Sequence, residues 1–182
     1  EPWDPANIVQ GNFDTTKGPI STSFFSGAKT NIAWNCLDEQ ISKGRGDTAA
    51  FVWEGNGLGE NKTMSYSEVC SEVNKLANWL RRIGVEKGDR VIIYMPMILE
   101  LPISMLACAR IGAVHGVVFA GFSAESLSQR LIDSEAKTIL TCNAVLRGTK
   151  LLDLKSIVDN AIELGEDRCR ITHCLCVENE RA

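Results

Sequence analysis

From Gly88 onward, short apolar runs alternate with longer amphipathic ones, and this alternation constrains the fold more than any other feature of the 182-residue chain. Arg90–Met95, Val114–Phe119, Lys137–Cys142 and Arg170–Val177 read as strands. Between them, a helix starts no earlier than about Leu99, because Pro102 is tolerated only in a first turn, and Gly112 ends it. A second helix is capped by Ser123 and runs from Ala124 to about Glu135; a third runs through Leu154–Leu164 after a loop that holds Arg147. Such a β-α-β-α-β-α-β order demands right-handed crossovers, so an α/β fold is expected, with an open, mostly parallel sheet and helices on both faces.

Upstream, Ala49–Glu54 and Asn61–Met64 read as a β-hairpin closed by Gly55-Asn56-Gly57-Leu58-Gly59. Ser65 and Glu68 have the spacing of a capping box, and the following Tyr66, Val69, Cys70, Val73, Leu76, Ala77, Leu80 and Ile83 line one face of a helix that Gly84 ends. Residues 1–48 are punctuated by Pro and Gly, with Trp3, Phe13, Phe24, Phe25 and Trp34 between them. They are expected to be a loop-rich N-terminal extension that wraps the core with its rings as anchors, with one short helix around Ile32–Ser42. Residues 49–182 would then be the first α/β portion of the body.

The 19 basic and 23 acidic residues are interspersed and give a net charge of −4, which argues against a nucleic-acid surface. An anionic ligand would need a local cluster of donors. Glu100 and Arg110 interrupt the longest apolar stretches before they reach membrane-spanning length, so no membrane partner is expected. The seven cysteines are odd in number and scattered through apolar runs, the usage of a reducing compartment, and a cytoplasmic location is expected. The chain lacks an initial Met and a leader and stops at Asn179-Glu180-Arg181-Ala182, so it is expected to be a piece of a longer one.

Open α/β sheets bind ligands at the carboxyl ends of their strands, which singles out Pro96-Met97, Phe119–Ser123 and Asn143–Lys150. In the second loop, Ala120 and Gly121 permit close backbone approach, Phe119 offers a ring for stacking, and the helix opening at Ser123 presents free amides to a phosphate. In the third, Arg147 supplies a planar fork and Lys150 a point charge around Gly148 and Thr149, with Lys155 further on. The Gly55–Gly59 run departs from a dinucleotide fingerprint, since its third Gly is misplaced and a strand follows it. Cys169, His173, Cys174 and Cys176 lack a second ligand pair for zinc, and His115 and His173 have no nucleophile partner visible in sequence, so neither a metal site nor a catalytic residue is assigned.

The run Arg90-Val91-Ile92-Ile93-Tyr94-Met95-Pro96-Met97, the run from Met105 through Ala107-Cys108-Ala109-Arg110-Ile111-Gly112-Ala113-Val114-His115, and Val117-Val118-Phe119-Ala120-Gly121-Phe122-Ser123 together resemble the acetyl-CoA synthetases of the acyl-adenylate-forming superfamily. Asn12-Phe13-Asp14, Gly27–Ile32, Asn35–Asp38 and Leu146–Lys150 extend the likeness over most of the chain. The resemblance implies part of a larger N-terminal adenylate-forming domain and a ligase that uses ATP with Mg2+ to turn acetate into acetyl-adenylate, then passes the acetyl group to coenzyme A and releases AMP. Propionyl-CoA or acetoacetyl-CoA synthetases and a non-catalytic CoA- or nucleotide-binding module are the alternatives. By resemblance, Arg147 and Lys150 pair with CoA phosphates, with Gly148 and Thr149 between them, and Phe119, Ala120 and Gly121 pack near the adenosine. Ala120 and Thr149 stand where the family commonly has Gly, so those loops would be tighter here. The family's other catalytic motifs fall beyond residue 182, and these residues alone are expected to be inactive.

Overall fold

In the computed structural model, which describes residues 8–179, the chain divides into two units with a boundary between Asn31 and Ile32. Trp3, expected among the aromatic anchors, lies outside the described residues. The first unit holds an antiparallel ladder of β1 (Val9–Asn12) and β2 (Ser21–Phe24), with Val9 opposite Phe24 and Asn12 opposite Ser21. Asp14 caps the intervening turn by accepting from Thr16 N at 3.0 Å. A loop was expected here; the polar Gly-Ser-Thr strands carry no alternation that would announce a ladder.

The second unit begins with helical turns of the wide π type at Trp34–Asp38 and Ile41–Arg45. The expected hairpin follows as β3 (Ala49–Glu54) and β4 (Asn61–Ser65). Helix α1 (Tyr66–Arg82) starts at the expected capping box: Glu68 N donates to Ser65 Oγ at 3.3 Å and Ser65 N to Glu68 Oε2 at 2.7 Å. Its Val69, Cys70, Val73, Ala77 and Leu80 are buried, as their spacing predicts.

Four parallel strands make the main sheet: β5 (Arg90–Met95), β6 (Val114–Phe119), β7 (Thr138–Cys142) and, after a short hairpin, β10 (His173–Val177), in the order β10-β7-β5-β6. The connecting helices are α2 (Glu100–Ile111), α3 (Ala124–Ser134) and α4 (Leu154–Gly165). The first crossover moves from β5 out to β6, whereas the second returns over β5 to β7 and the third continues to β10. With right-handed connections this reversal puts α2 on one face and α3 and α4 on the other. The packing agrees, since α1 lies against α2 and α3 against α4. The expected doubly covered α/β sheet is therefore present.

The core runs through β5 and β7, whose Val91, Ile93, Tyr94, Ile139 and Leu140 are fully buried. Gly112 ends α2 at φ 79°, where a Cβ would stand 2.9 Å from the Lys87 stem. Among the described residues, β6 is a bare edge whose Val114, Val117 and Phe119 are about half exposed (55%, 47% and 59%).

The π-turn segment is pinned to the helical layer by one ion pair. Arg110 of α2 donates Nη1 to Asp38 Oδ1 at 3.2 Å and Nη2 to Asp38 Oδ2 at 2.6 Å, a bidentate geometry in which both side chains are mostly covered. Asp38→Ala removes both carboxylate oxygens from that guanidinium, and we expect a loss of about 1.5–3 kcal/mol in urea unfolding, the range for hydrogen bonds to charged groups. An unchanged unfolding midpoint would show that the pair contributes nothing.

Candidate functional site

Register places the carboxyl ends of three strands in one row: Met95 of β5 lies beside Phe119 of β6, and Tyr94 beside Thr141 of β7. Because the crossovers diverge around β5, the gap between β5 and β7 is the topological switch point at which such sheets place ligands. A cleft of about 490 Å³ opens there, lined by Trp53, Pro96, Met97, Leu146, Gly148 and Asn179. Its roof is fixed by Trp53, whose indole Nε1 donates to Met97 O at 2.7 Å.

On the β6 side, the loop after Phe119 is a tight turn in which Phe122 N donates to Phe119 O at 3.1 Å. Tyr94, fully buried in β5, reaches up to donate its phenolic hydroxyl to Phe122 O at 2.8 Å. Burial raises the Tyr94 pKa and so keeps it a donor. The Phe119 and Phe122 rings meet edge to face, 6.1 Å apart at 87°, and Arg130 lies 4.5 Å over Phe122. Ala120 is buried and turns its methyl away from solvent, whereas Gly121 is exposed and a Cβ there would collide with the Phe119 ring and stand 3.0 Å from an Arg147 nitrogen.

The segment expected to be a loop after Asn143 is a β-hairpin, β8 (Ala144–Arg147) and β9 (Lys150–Asp153). Gly148 and Thr149 are its two-residue turn, and Gly148 at φ 63° supplies the positive φ that such turns require in first position. Arg147 and Lys150 are directly opposite, so they emerge on one face of the hairpin. Among the described residues neither has a carboxylate partner. Arg147 Cζ lies 5.5 Å over the Phe119 ring. Phe119, Gly121 and Arg147 therefore converge, Gly148, Thr149 and Lys150 are continuous with them, and Ala120 stands beneath.

Lys155, further along the chain from the cationic pair, is engaged with Asp159 at 2.7 Å on α4. At the amino end of α3, Ser126 N donates to Ser123 Oγ at 3.4 Å, and Glu125 in the first turn has its pKa lowered by a hydrogen bond with the Ser123 hydroxyl. Arg147 and Lys150 on the hairpin remain the cationic pair nearest the Phe119 turn. Nearby, burial pushes the Cys142 thiol up to about 11, so it is a protonated S–H, which donates to Ala144 O at 3.4 Å. Burial also lowers the His115 pKa.

Helices on both faces of a parallel sheet, with a cleft at the strands' carboxyl ends, define a doubly wound α/β protein whose opening lies where such sheets place ligands. The family model described as "AMP-binding enzyme" matches residues 37–182, and the chain belongs to that family. It is 54% identical over 176 residues to an Arabidopsis thaliana protein named "Acetyl-coenzyme A synthetase, chloroplastic/glyoxysomal", covering 96% of this chain and 24% of that protein. Proteins named "Acetyl-coenzyme A synthetase" from Drosophila melanogaster and Rubrobacter xylanophilus are 48% and 54% identical over 167 and 145 residues, covering 91% and 80% of this chain and 25% and 22% of theirs. The chain thus spans about a quarter of the length of the relatives it matches.

Sequence reasoning missed Tyr94, whose bond crosses 28 residues of chain and has no local signature. Removing its hydroxyl in Tyr94→Phe leaves the Phe122 carbonyl without that donor. Urea unfolding is expected to lose about 0.5–1.5 kcal/mol, the usual net value of such a bond; wild-type stability in the variant would mean that solvent replaces it.

Proposed function

We propose that the protein carrying this segment is an AMP-forming acetate–CoA ligase and that the segment supplies one wall of its CoA site. In the first half-reaction a carboxylate oxygen of acetate attacks the α-phosphorus of ATP and pyrophosphate leaves. In the second, the CoA sulfur attacks the acetyl carbonyl and AMP leaves with the electron pair of the broken C–O bond. The residues of this segment bind and orient and make none of these bonds. Positioning the thiol-bearing molecule against the adenylate replaces an encounter in solution by a reaction within one complex.

The opposed cations carry the reading. Like charges directly across a strand pair repel, so a hairpin that sets Arg147 against Lys150, with no carboxylate partner among the described residues, suits an anion. Arg147 takes a phosphate through its planar fork and Lys150 through its ammonium. Phe119, held against Arg147, presents a ring to the adenine, and Gly121 leaves room for close approach. Gly148 and Thr149 turn the chain between the cations, and Ala120 fills the space below. Mg2+ would accompany ATP; among the described residues no three His, Cys, Asp or Glu side chains are grouped to hold a metal, so no step assigned here uses it.

Acetate, ATP and CoA are the proposed small-molecule partners, with acetate resting on the names of the relatives. No helix among the described residues is long and apolar enough to cross a membrane. The cytoplasm is the proposed location, on the strength of the cysteine usage, although one relative is named for chloroplasts and glyoxysomes.

In the full-length protein, Arg147→Ala is expected to weaken CoA use in thioester formation by about 1.5–3 kcal/mol, the cost of losing charge-assisted hydrogen bonds. Acetate-dependent pyrophosphate exchange, which needs no CoA, should stay near wild type. An equal fall in exchange and thioester formation would contradict the role given to Arg147.

A further inference from the structure

Four elements meet at Asn143, the residue between β7 and β8. Its backbone N–H donates to Val177 O at 3.0 Å, tying the end of β7 to the end of β10, and its carbonyl accepts from Lys155 N at 3.0 Å in the first turn of α4. The side-chain Oδ1 accepts twice at 2.8 Å, from Ala144 N and from Asn179 N. Asn179, only 8% exposed, answers by donating Nδ2 to Ala144 O at 3.0 Å, the carbonyl that Cys142 Sγ also reaches. The first residue of the β8–β9 hairpin is thus gripped by one asparagine on its N–H and by another on its C=O.

We infer that Asn143 is a positioning residue for CoA, acting through the hairpin to set the aim of Arg147 and Lys150; this rests on the reading of those cations given above. The hairpin runs out from this root, with Val145 and Leu152 against the core and a long contact from Asn56 Nδ2 to Leu146 O at 3.4 Å nearer its tip, so the root sets the angle at which it leaves. Arg147 is three residues from Ala144, about 10 Å along a strand, so a tilt of about 15° at the root displaces it by about 2.5 Å. Charge-assisted N–H···O contacts are short, and a shift of that size forfeits them. It also separates Arg147 from the Phe119 ring, which belongs to the sheet and stays behind.

Of the Asn143 side chain, the neighbours use only Oδ1. Among the described residues its Nδ2 makes no hydrogen bond, so an aspartate at 143 retains both acceptor contacts, and two N–H donors stabilise the carboxylate. A leucine of similar size retains neither and leaves two N–H groups unanswered at the hairpin root.

The test is steady-state kinetics on the full-length protein, with thioester formation and acetate-dependent pyrophosphate exchange measured side by side. Asn143→Leu is expected to raise the KM for CoA about tenfold or more, the equivalent of one charge-assisted bond lost, while exchange stays within about twofold. Asn143→Asp is expected to restore the KM to within about threefold of wild type, and Asn179→Ala, which removes one of the two grips on Ala144, to raise it by about threefold, the net value of one neutral hydrogen bond. An unchanged KM in Asn143→Leu, an Asp variant as impaired as the Leu variant, or exchange falling in step with thioester formation would each overturn the inference. If Asn143→Leu fails to fold, the Asp and Asn179→Ala variants decide by the same criteria. Arg147→Ala run in parallel separates the two ideas. Impairment there with a normal Asn143→Leu sinks only the present inference, and a silent Arg147→Ala sinks the reading of the cations and this inference with it.

Discussion

The structure depends on the direction in which the chain leaves β5. One crossover goes outward to β6 and the next comes back over β5 to β7, so the central strand ends at a place where neighbouring connections diverge. That divergence leaves a gap which neither α2 nor α3 covers, and the molecule puts its other irregular structure around it. The β3–β4 hairpin reaches it through Trp53, the β8–β9 hairpin through Leu146 and Gly148, and the Phe119 turn borders the same strand ends. A sheet with all its crossovers in one direction would have no such opening.

The site elements are held from below. The Phe119 turn hangs on the hydroxyl of a wholly buried tyrosine, and the β8–β9 hairpin is rooted in the two asparagines at the ends of β7 and β10. Facing Arg147 with Lys150 costs the unliganded hairpin roughly 0.2–1 kcal/mol, the range for adjacent cross-strand pairs. The hydrogen bonds at the root oppose that repulsion and hold the two cations in register, the arrangement proposed above for receiving an anion. On this account the net charge of −4 is no obstacle, because the attraction is local.

Much of this was legible in the sequence where the signal is local. The Ser65–Glu68 capping box, the buried face of α1 and the four apolar strands of the main sheet follow from spacing alone. Phe119, Gly121 and Arg147 stand out as residue types suited to a nucleotide, and folding brings them together. The β8–β9 hairpin escaped notice because its strands have four residues each and its turn is Gly148-Thr149, without the Asn-Gly or Asp-Gly signal of a two-residue loop. Tyr94 and Asn143 were illegible for a different reason. Their partners lie 28 and 36 residues away, so only the strand register reveals what they hold.

The most direct measurement is a crystal structure of the full-length protein with CoA bound. The account predicts the adenine against the Phe119 ring, with phosphate oxygens about 2.7–2.9 Å from Arg147 and Lys150, the length of charge-assisted bonds. A nucleotide portion seated away from both the Phe119 turn and the β8–β9 hairpin would contradict it.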